Sequence, residues 1–258
     1  MSGMRQHLGR GVAMLAAVAV GVGVLSGCGS ADLDDAPLER KTFPFGGERL
    51  RIESDDSELE ITAADVDEVE VTRRVDGWVV IGNGPDASWR LEDGTLRLTI
   101  GCKGLAAHCA GHHTVKVPRG VAVTVEDGNG GVEAGGFADA LTIRSDNGRV
   151  VVRDSSGPLD LETRNGGIRT ERVTSTRVRA HSGNGSVRLD LDAAPERVES
   201  SSNNGGVEVR LPDGGGPYAV TAESRNGGVD VSVPTDDASE RSVTARSGNG
   251  KVRVGTAN

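Results

Sequence analysis

The stretch Leu141-Thr142-Ile143-Arg144-Ser145-Asp146-Asn147-Gly148-Arg149-Val150 recurs along this chain. Asn-Gly pairs stand at Asn129-Gly130, Asn147-Gly148, Asn165-Gly166, Asn184-Gly185, Asn204-Gly205, Asn226-Gly227 and Asn249-Gly250, spaced by 18, 18, 19, 20, 22 and 23 residues. Three residues after each Asn comes a branched aliphatic: Val132, Val150, Ile168, Val187, Val207, Val229 and Val252. Two residues before it comes Asp127, Ser145, Thr163, Ser182, Ser202, Ser224 or Ser247. Stepping back by twos gives further inward candidates, such as Val123 and Val125, or Leu159 and Leu161. Alternation of period two on both arms marks half-buried strands. Each unit therefore reads as strand, Asn-Gly turn, strand, with positive φ expected at the turn.

Working outward, Leu50-Ile52-Ser54, Asp56-Ser57 and Leu59-Ile61 fit the same template. So do Trp89-Leu91, Asp93-Gly94 and Leu96-Leu98-Ile100. Between them, residues 73–88 read as an excursion with a loop at Gly82-Asn83-Gly84-Pro85. Residues 42–120 are thus an irregular opening section and 121–258 the regular β-repeat. Two all-β architectures satisfy the pattern: a parallel β-solenoid (a single-stranded β-helix) or a meander of antiparallel hairpins. Stacking of equivalent residues favours the solenoid, right-handed by the general crossover rule, with the asparagines forming a ladder.

Ahead of the repeats, Arg5 and Arg10 precede an apolar run, Gly11 to Leu25, which ends in Leu25-Ser26-Gly27-Cys28. The run is shorter than a membrane span and has the tripartite form of an export signal. Its end resembles the bacterial lipobox. That resemblance implies cleavage before Cys28, with residues 1–27 removed as a signal peptide. It also implies diacylglycerol, with acyl chains such as palmitate, on the Cys28 thiol. Residues 28–41 carry four acids and read as an acidic tether. Cleavage would remove two arginines and no acid from a chain of net charge −9. No polybasic patch is then available as a second membrane signal, so the lipid does the anchoring at the extracytoplasmic face of the cell membrane.

The lipobox, followed by repeated V-x-[AIL]-x-[ST]-x-N-G-x-V, resembles the DUF4097 putative-adhesin family of β-strand repeats over about residues 43–258. The resemblance implies a surface-exposed β domain; it supplies neither ligand nor catalytic residue.

The chain holds 29 Lys and Arg against 38 Asp and Glu, which excludes a general nucleic-acid binder. Cys102, His108, Cys109, His112 and His113 fall within twelve residues. A disulfide between Cys102 and Cys109 suits an exported chain. A metal site and free thiols are the alternatives, and the spacing matches no known zinc pattern. The histidines then read as solvated loop residues. There is no Gly-x-Ser-x-Gly elbow, and His181 falls on the polar phase of its strand. Asp55-Asp56 and Asp236-Asp237 read as turn formers. No cofactor or metal is expected. Outward positions such as Glu133, Val151, Arg169, Arg188 and Glu208 mix signs, and only Phe137 and Tyr218 among the aromatics lie in the regular section.

The expected function is a non-enzymatic adhesin-like binding or scaffold module, with an unknown envelope or surface ligand. One rival is an envelope sensor that docks a protein on an open C-terminal edge at Lys251–Val254. The other is a polysaccharide-active β-helix enzyme.

Overall fold

The computed structural model describes Leu33 and residues 36–105 and 107–256. The export signal and Cys28 lie outside the described residues. Twenty-one strands and no helix make up the described chain. In the regular section each coil contributes one strand to each of two walls. Strands β8 (Ala122–Asp127), β10 (Leu141–Ser145), β12 (Leu159–Thr163), β14 (Arg177–Ser182) and β16 (Arg197–Asn204) stack in one sheet. Strands β9 (Val132–Gly135), β11 (Val150–Arg153), β13 (Ile168–Val173), β15 (Val187–Leu191) and β17 (Val207–Leu211) stack in the other. All these pairings are parallel, and in register apart from a shift between Thr170 and Val173 where β13 meets β15, so the solenoid is the architecture and the meander is not.

Register places like on like. Leu141 faces Leu159, then Val178, then Val198 across one wall. Val132, Val150, Ile168, Val187 and Val207 form the matching column on the other. These side chains meet in a thin aliphatic core and are buried. A neighbouring inward column shrinks along the stack, from Ile143 and Leu161 to Ala180 and Ser200.

The Asn-Gly corners are not the turns expected. Among the described residues none of those asparagines or glycines has positive φ. Instead, a Cβ built on Gly148 would land on the carbonyl oxygen of Gly130, and one on Gly166 on that of Gly148. The glycine is there because stacked backbones approach too closely for any side chain. The Asp93-Gly94 unit is a different object. Its residues have φ of 49° and 73°, and it joins β5 (Gly82–Glu92) to β6 (Thr95–Gly104) as an antiparallel hairpin. Residues 82–85, expected as a loop, lie inside β5, with a register shift between Asn83 and Asp86.

Both ends of the stack depart from chain order. At the N-terminal end, β2 (Arg49–Ser54) and β3 (Glu58–Ala64) lie directly against β8 and β9. β6 and β7 (Ala107–Pro118) sit outside them, followed by β4 (Val69–Val79) and β1 (Glu39–Phe43), both antiparallel. At the other end, β18 (Ala219–Asn226) and β19 (Val229–Val231) form the outermost coil. The last coil, β20 (Ser242–Asn249) and β21 (Val252–Thr256), is wedged between them and β16/β17. Lys251–Val254 is therefore an interior strand, paired on both sides, and not the open edge expected from its place in the chain.

Candidate functional site in the polar face and its corner columns

Two side-chain columns run along the Asn-Gly corner. The asparagines form the ladder: the Nδ2 of Asn147, Asn165, Asn184 and Asn204 each donates to the Oδ1 of the Asn one coil earlier, at 2.8–2.9 Å. Asn249 donates to Asn204, and Asn226 to Asn249, both at 2.8 Å, which follows the swapped order of the last two coils. At the base Asn129 donates to Asp56 at 2.9 Å. A carboxylate suits that end, since it accepts and need not donate. Beside the ladder, Thr163, Ser182, Ser202 and Ser247 donate to the glycine carbonyls of Gly148, Gly166, Gly185 and Gly205 at 2.8–3.1 Å. These columns satisfy buried corner groups and are architecture rather than chemistry.

The outer face of the sheet carrying β14, β16, β20 and β18 holds two adjoining grooves. One, of about 420 Å³, is lined by Arg179, His181, Glu199, Ser201, Thr244 and Arg246. The other, of about 700 Å³, shares Ser201 and Arg246 and adds Glu223, Arg225, Asn203 and Asn249. Short Ser201 lies between His181 and Arg246 in the register, and Thr244 between Glu199 and Thr221. Arg246 pairs with Glu223 at 3.0 Å, and the His181 Nδ1 lies 2.9 Å from the Ser201 Oγ. Among the described residues no carboxylate is hydrogen-bonded to His181 to orient it as a base, so this pair lacks the third member of a hydrolytic triad. The arrangement offers guanidinium, hydroxyl and amide groups to a polar ligand, without an aromatic platform.

Elsewhere on the faces charged side chains pair between coils. Arg153 bridges Glu133 and Glu171 at 2.6 and 3.0 Å, and Arg188 meets Glu208 at 2.9 Å. Partial burial raises the Glu208 carboxyl, but the Arg188 and Arg210 hydrogen bonds and charges outweigh it and hold the group below its ordinary range. Val151, expected outward, is buried.

The Cys102–Cys109 disulfide is present, with the Cα atoms 6.2 Å apart, tying β6 to β7. The histidines beside it lie on a strand and not in a loop, and only His108 is exposed to solvent as expected. All three lie on β7, and His113 is fully buried. The Ser57 Oγ is 2.8 Å from the His113 Nδ1 and 3.0 Å from the Ser54 Oγ. Burial, then the charges of Arg73 and His112, hold His113 down at about 4. Asp127 is also buried. Burial pushes it up to about 7, helped by Asp56 and Asp55 against the pull of the Ser54 hydroxyl and the Gly130 N–H. This Ser–His pair is sealed in the core and reaches no substrate. Period two, extended back from Val117 and Val115, puts His113 inward, so the sequence did carry that signal. Asp127 likewise stands out as the one carboxylate in a column of Ser and Thr. His112 is half-exposed, 3.7 and 3.8 Å from Glu58 and Glu60. No group of three or more His, Cys, Asp or Glu side chains among the described residues is placed to hold a metal. Asp236 accepts from the Ala238 N–H at 2.9 Å, as a turn former does.

Residues 115–258 match the Toastrack DUF4097 family model, more than half of the chain. Among solved structures, a putative adhesin from Bacteroides fragilis aligns with a TM-score of 0.56 at 17% identity, covering 84% of this chain and 97% of that one. A putative adhesin from Parabacteroides merdae aligns with a TM-score of 0.46 at 17% identity, over 85% and 97%. No curated protein matches. The wide match to the family model and the in-register coils behind it agree: the chain belongs to the Toastrack DUF4097 family.

Proposed function

We propose that this protein is an exported, Cys28-lipidated, non-enzymatic surface module that presents a rigid polar face to a polar envelope or surface ligand. The observation that carries the reading is the pair of grooves over Ser201 and Thr244. They are two adjoining concavities on one sheet face, and their guanidinium, hydroxyl and amide groups suit a polar ligand. The β16 strand lies six strands from β6 in the sheet, about 29 Å at the usual strand spacing, so the grooves are held well clear of the N-terminal end. The adhesin names of the fold's solved relatives support the same reading.

The test is co-sedimentation of the compact unit Ala31–Asn258 with intact and wall-stripped envelope, with the supernatant assayed for released sugar. Saturable pelleting is expected, weakened at least fivefold by Arg179→Ala with Arg246→Ala. Released sugar would overturn the non-enzymatic reading, and pelleting indifferent to both substitutions would move the site elsewhere. A protein partner is the second reading. It is favoured by the unpaired outer edge of β18/β19, where Val229 and Val231 are 47% and 39% exposed. Pelleting lost on Val229→Lys but not on the arginine changes would select it.

A further inference from the structure

Among the described residues, four of the seven exposed large hydrophobics gather at one place: Trp78 (42% exposed), Val80 (67%), Ile81 (63%) and Leu105 (85%). They cap a finger built from four strands that outrun the walls. β4 pairs β1 only as far as Arg73 yet continues to Val79, and β7 pairs β3 only from His112 onward. β6 pairs β2 only through Leu98, and then runs to Gly104 against β5. The two ribbons are joined by the Cys102–Cys109 disulfide and by the Leu105 N–H, which donates to the Ile81 carbonyl at 3.0 Å. Residues 77–82 and 104–107 contain no charged side chain. Lys103, opposite Asn83, and His108, opposite Trp78, supply polar groups level with the indole and below the aliphatic tip of Val80, Ile81 and Leu105.

The direction of the chain says what this cap faces. β1 is antiparallel to β4, with Glu39 opposite Arg73, so the segment entering β1 comes from the side toward which the finger points. From Arg73 to Val80 the finger extends about 23 Å. From Cys28 to Glu39 the chain can span at most about 38 Å. Chain length therefore permits a lipid on Cys28 to reach the level of the cap. From these observations we infer that the cap Trp78/Val80/Ile81/Leu105 inserts into the surface of a phospholipid bilayer, as a second membrane contact that sets the orientation of the domain. An indole and a lysine below an aliphatic tip match the layering of a membrane interface. One apolar contact strengthens an anchor that carries no basic patch. The inference rests on the proposed lipid anchor for the choice of membrane as occupant.

The experiment uses the full chain with Trp89→Phe, which leaves Trp78 as the only indole. It is mixed with vesicles of phosphatidylcholine and phosphatidylglycerol bearing brominated acyl chains. Trp78 emission is expected to shift to the blue and to be quenched. Ile81→Asp with Leu105→Asp should weaken vesicle binding of the unlipidated chain more than tenfold, with an unchanged circular dichroism spectrum. Unshifted, unquenched emission on vesicle-bound chain overturns the inference, as does binding that survives the double substitution. The mass of the Cys28 peptide reads the anchor separately. An unmodified Cys28 with cap-dependent binding would sink the anchor and keep the cap, whereas a lipidated Cys28 with unquenched Trp78 would do the reverse.

Discussion

At Gly148, Gly166, Gly185 and Gly205 the missing Cβ matters because a neighbouring coil's carbonyl occupies its place. Gly228 stands one residue past the Asn226-Gly227 pair, where nothing lies within 4 Å of its Cβ position. Gly166→Ala is expected to destabilise by about 2–4 kcal/mol, the scale of core overpacking and strain, while Gly228→Ala stays within about 0.5 kcal/mol. Urea denaturation of the two variants checks this; equal effects would point to turn conformation instead of close approach. The buried pair Asp127 and His113 makes a second residue-scale prediction. Asp127, raised from 3.8 to about 7, contributes stability that is full below pH 4 and is lost as pH rises through 7. His113, lowered from 6.5 to about 4, acts oppositely: stability is lost as pH falls from 6.5 through 4. The two slopes oppose each other across pH 4–6.5. Asp127→Asn should unmask the histidine, giving stability that rises with pH over that window. It should also add on the order of 2 kcal/mol at pH 8 relative to the parent, with the two converging near pH 4. Denaturation midpoints across pH 4–8 read both.

Among the elements, the hairpin β5–β6 and the Asn-Gly coils show how one dipeptide class serves two ends. Asp93-Gly94 reverses the chain because both residues take positive φ. The Asn-Gly corners only bend it, since the backbone donors there are already engaged by the previous coil, as Asn147 N–H is by the Gly128 carbonyl at 2.9 Å. The wedged last coil has a dynamic consequence. β20 has partners on both sides and β18 on one, although β18 comes earlier in the chain. Amides of residues 219–231 should therefore exchange with solvent faster than those of 242–249. Truncation before Ser242 should release 219–231 altogether, visible as new proteolytic cuts there. Slower exchange in 219–231 than in 242–249 would contradict the swapped order.

Across the whole molecule, stability is a sum of coil-to-coil interfaces, each an aliphatic layer, a backbone ladder and a pair of polar columns. The surface ion pairs add little individually, about 0–1 kcal/mol each, because both partners stay in water. Their larger effect is on recognition. Where Arg153 or Arg188 is satisfied by acids of adjacent coils, its charge is already engaged. Over Ser201 and Thr244 the row of long side chains is interrupted and polar groups remain open to a ligand.

Period two, the Asn-Gly spacing and the stacked aliphatics, read alone, establish an all-β repeat and favour a solenoid with an asparagine ladder over a hairpin meander, because in-register stacking writes itself into the chain as a repeat; the parallel pairings decide between the two. The pairing of Cys102 with Cys109 was legible as one of three readings. Order along the stack was not legible. Equivalent coils present the same hydrogen-bonding edge, so nothing local tells β20 to enter between β16 and β18, nor β2 to lie against β8. That choice is made by which long loops close and which core layers fit. It sets the charge beside Ser201, whose register partner is Arg246 where the chain-adjacent coil would have placed Glu223. The finger was hidden for a similar reason: residues 73–88 and 99–111 look irregular singly, and become regular strands only when each supplies the other's partner.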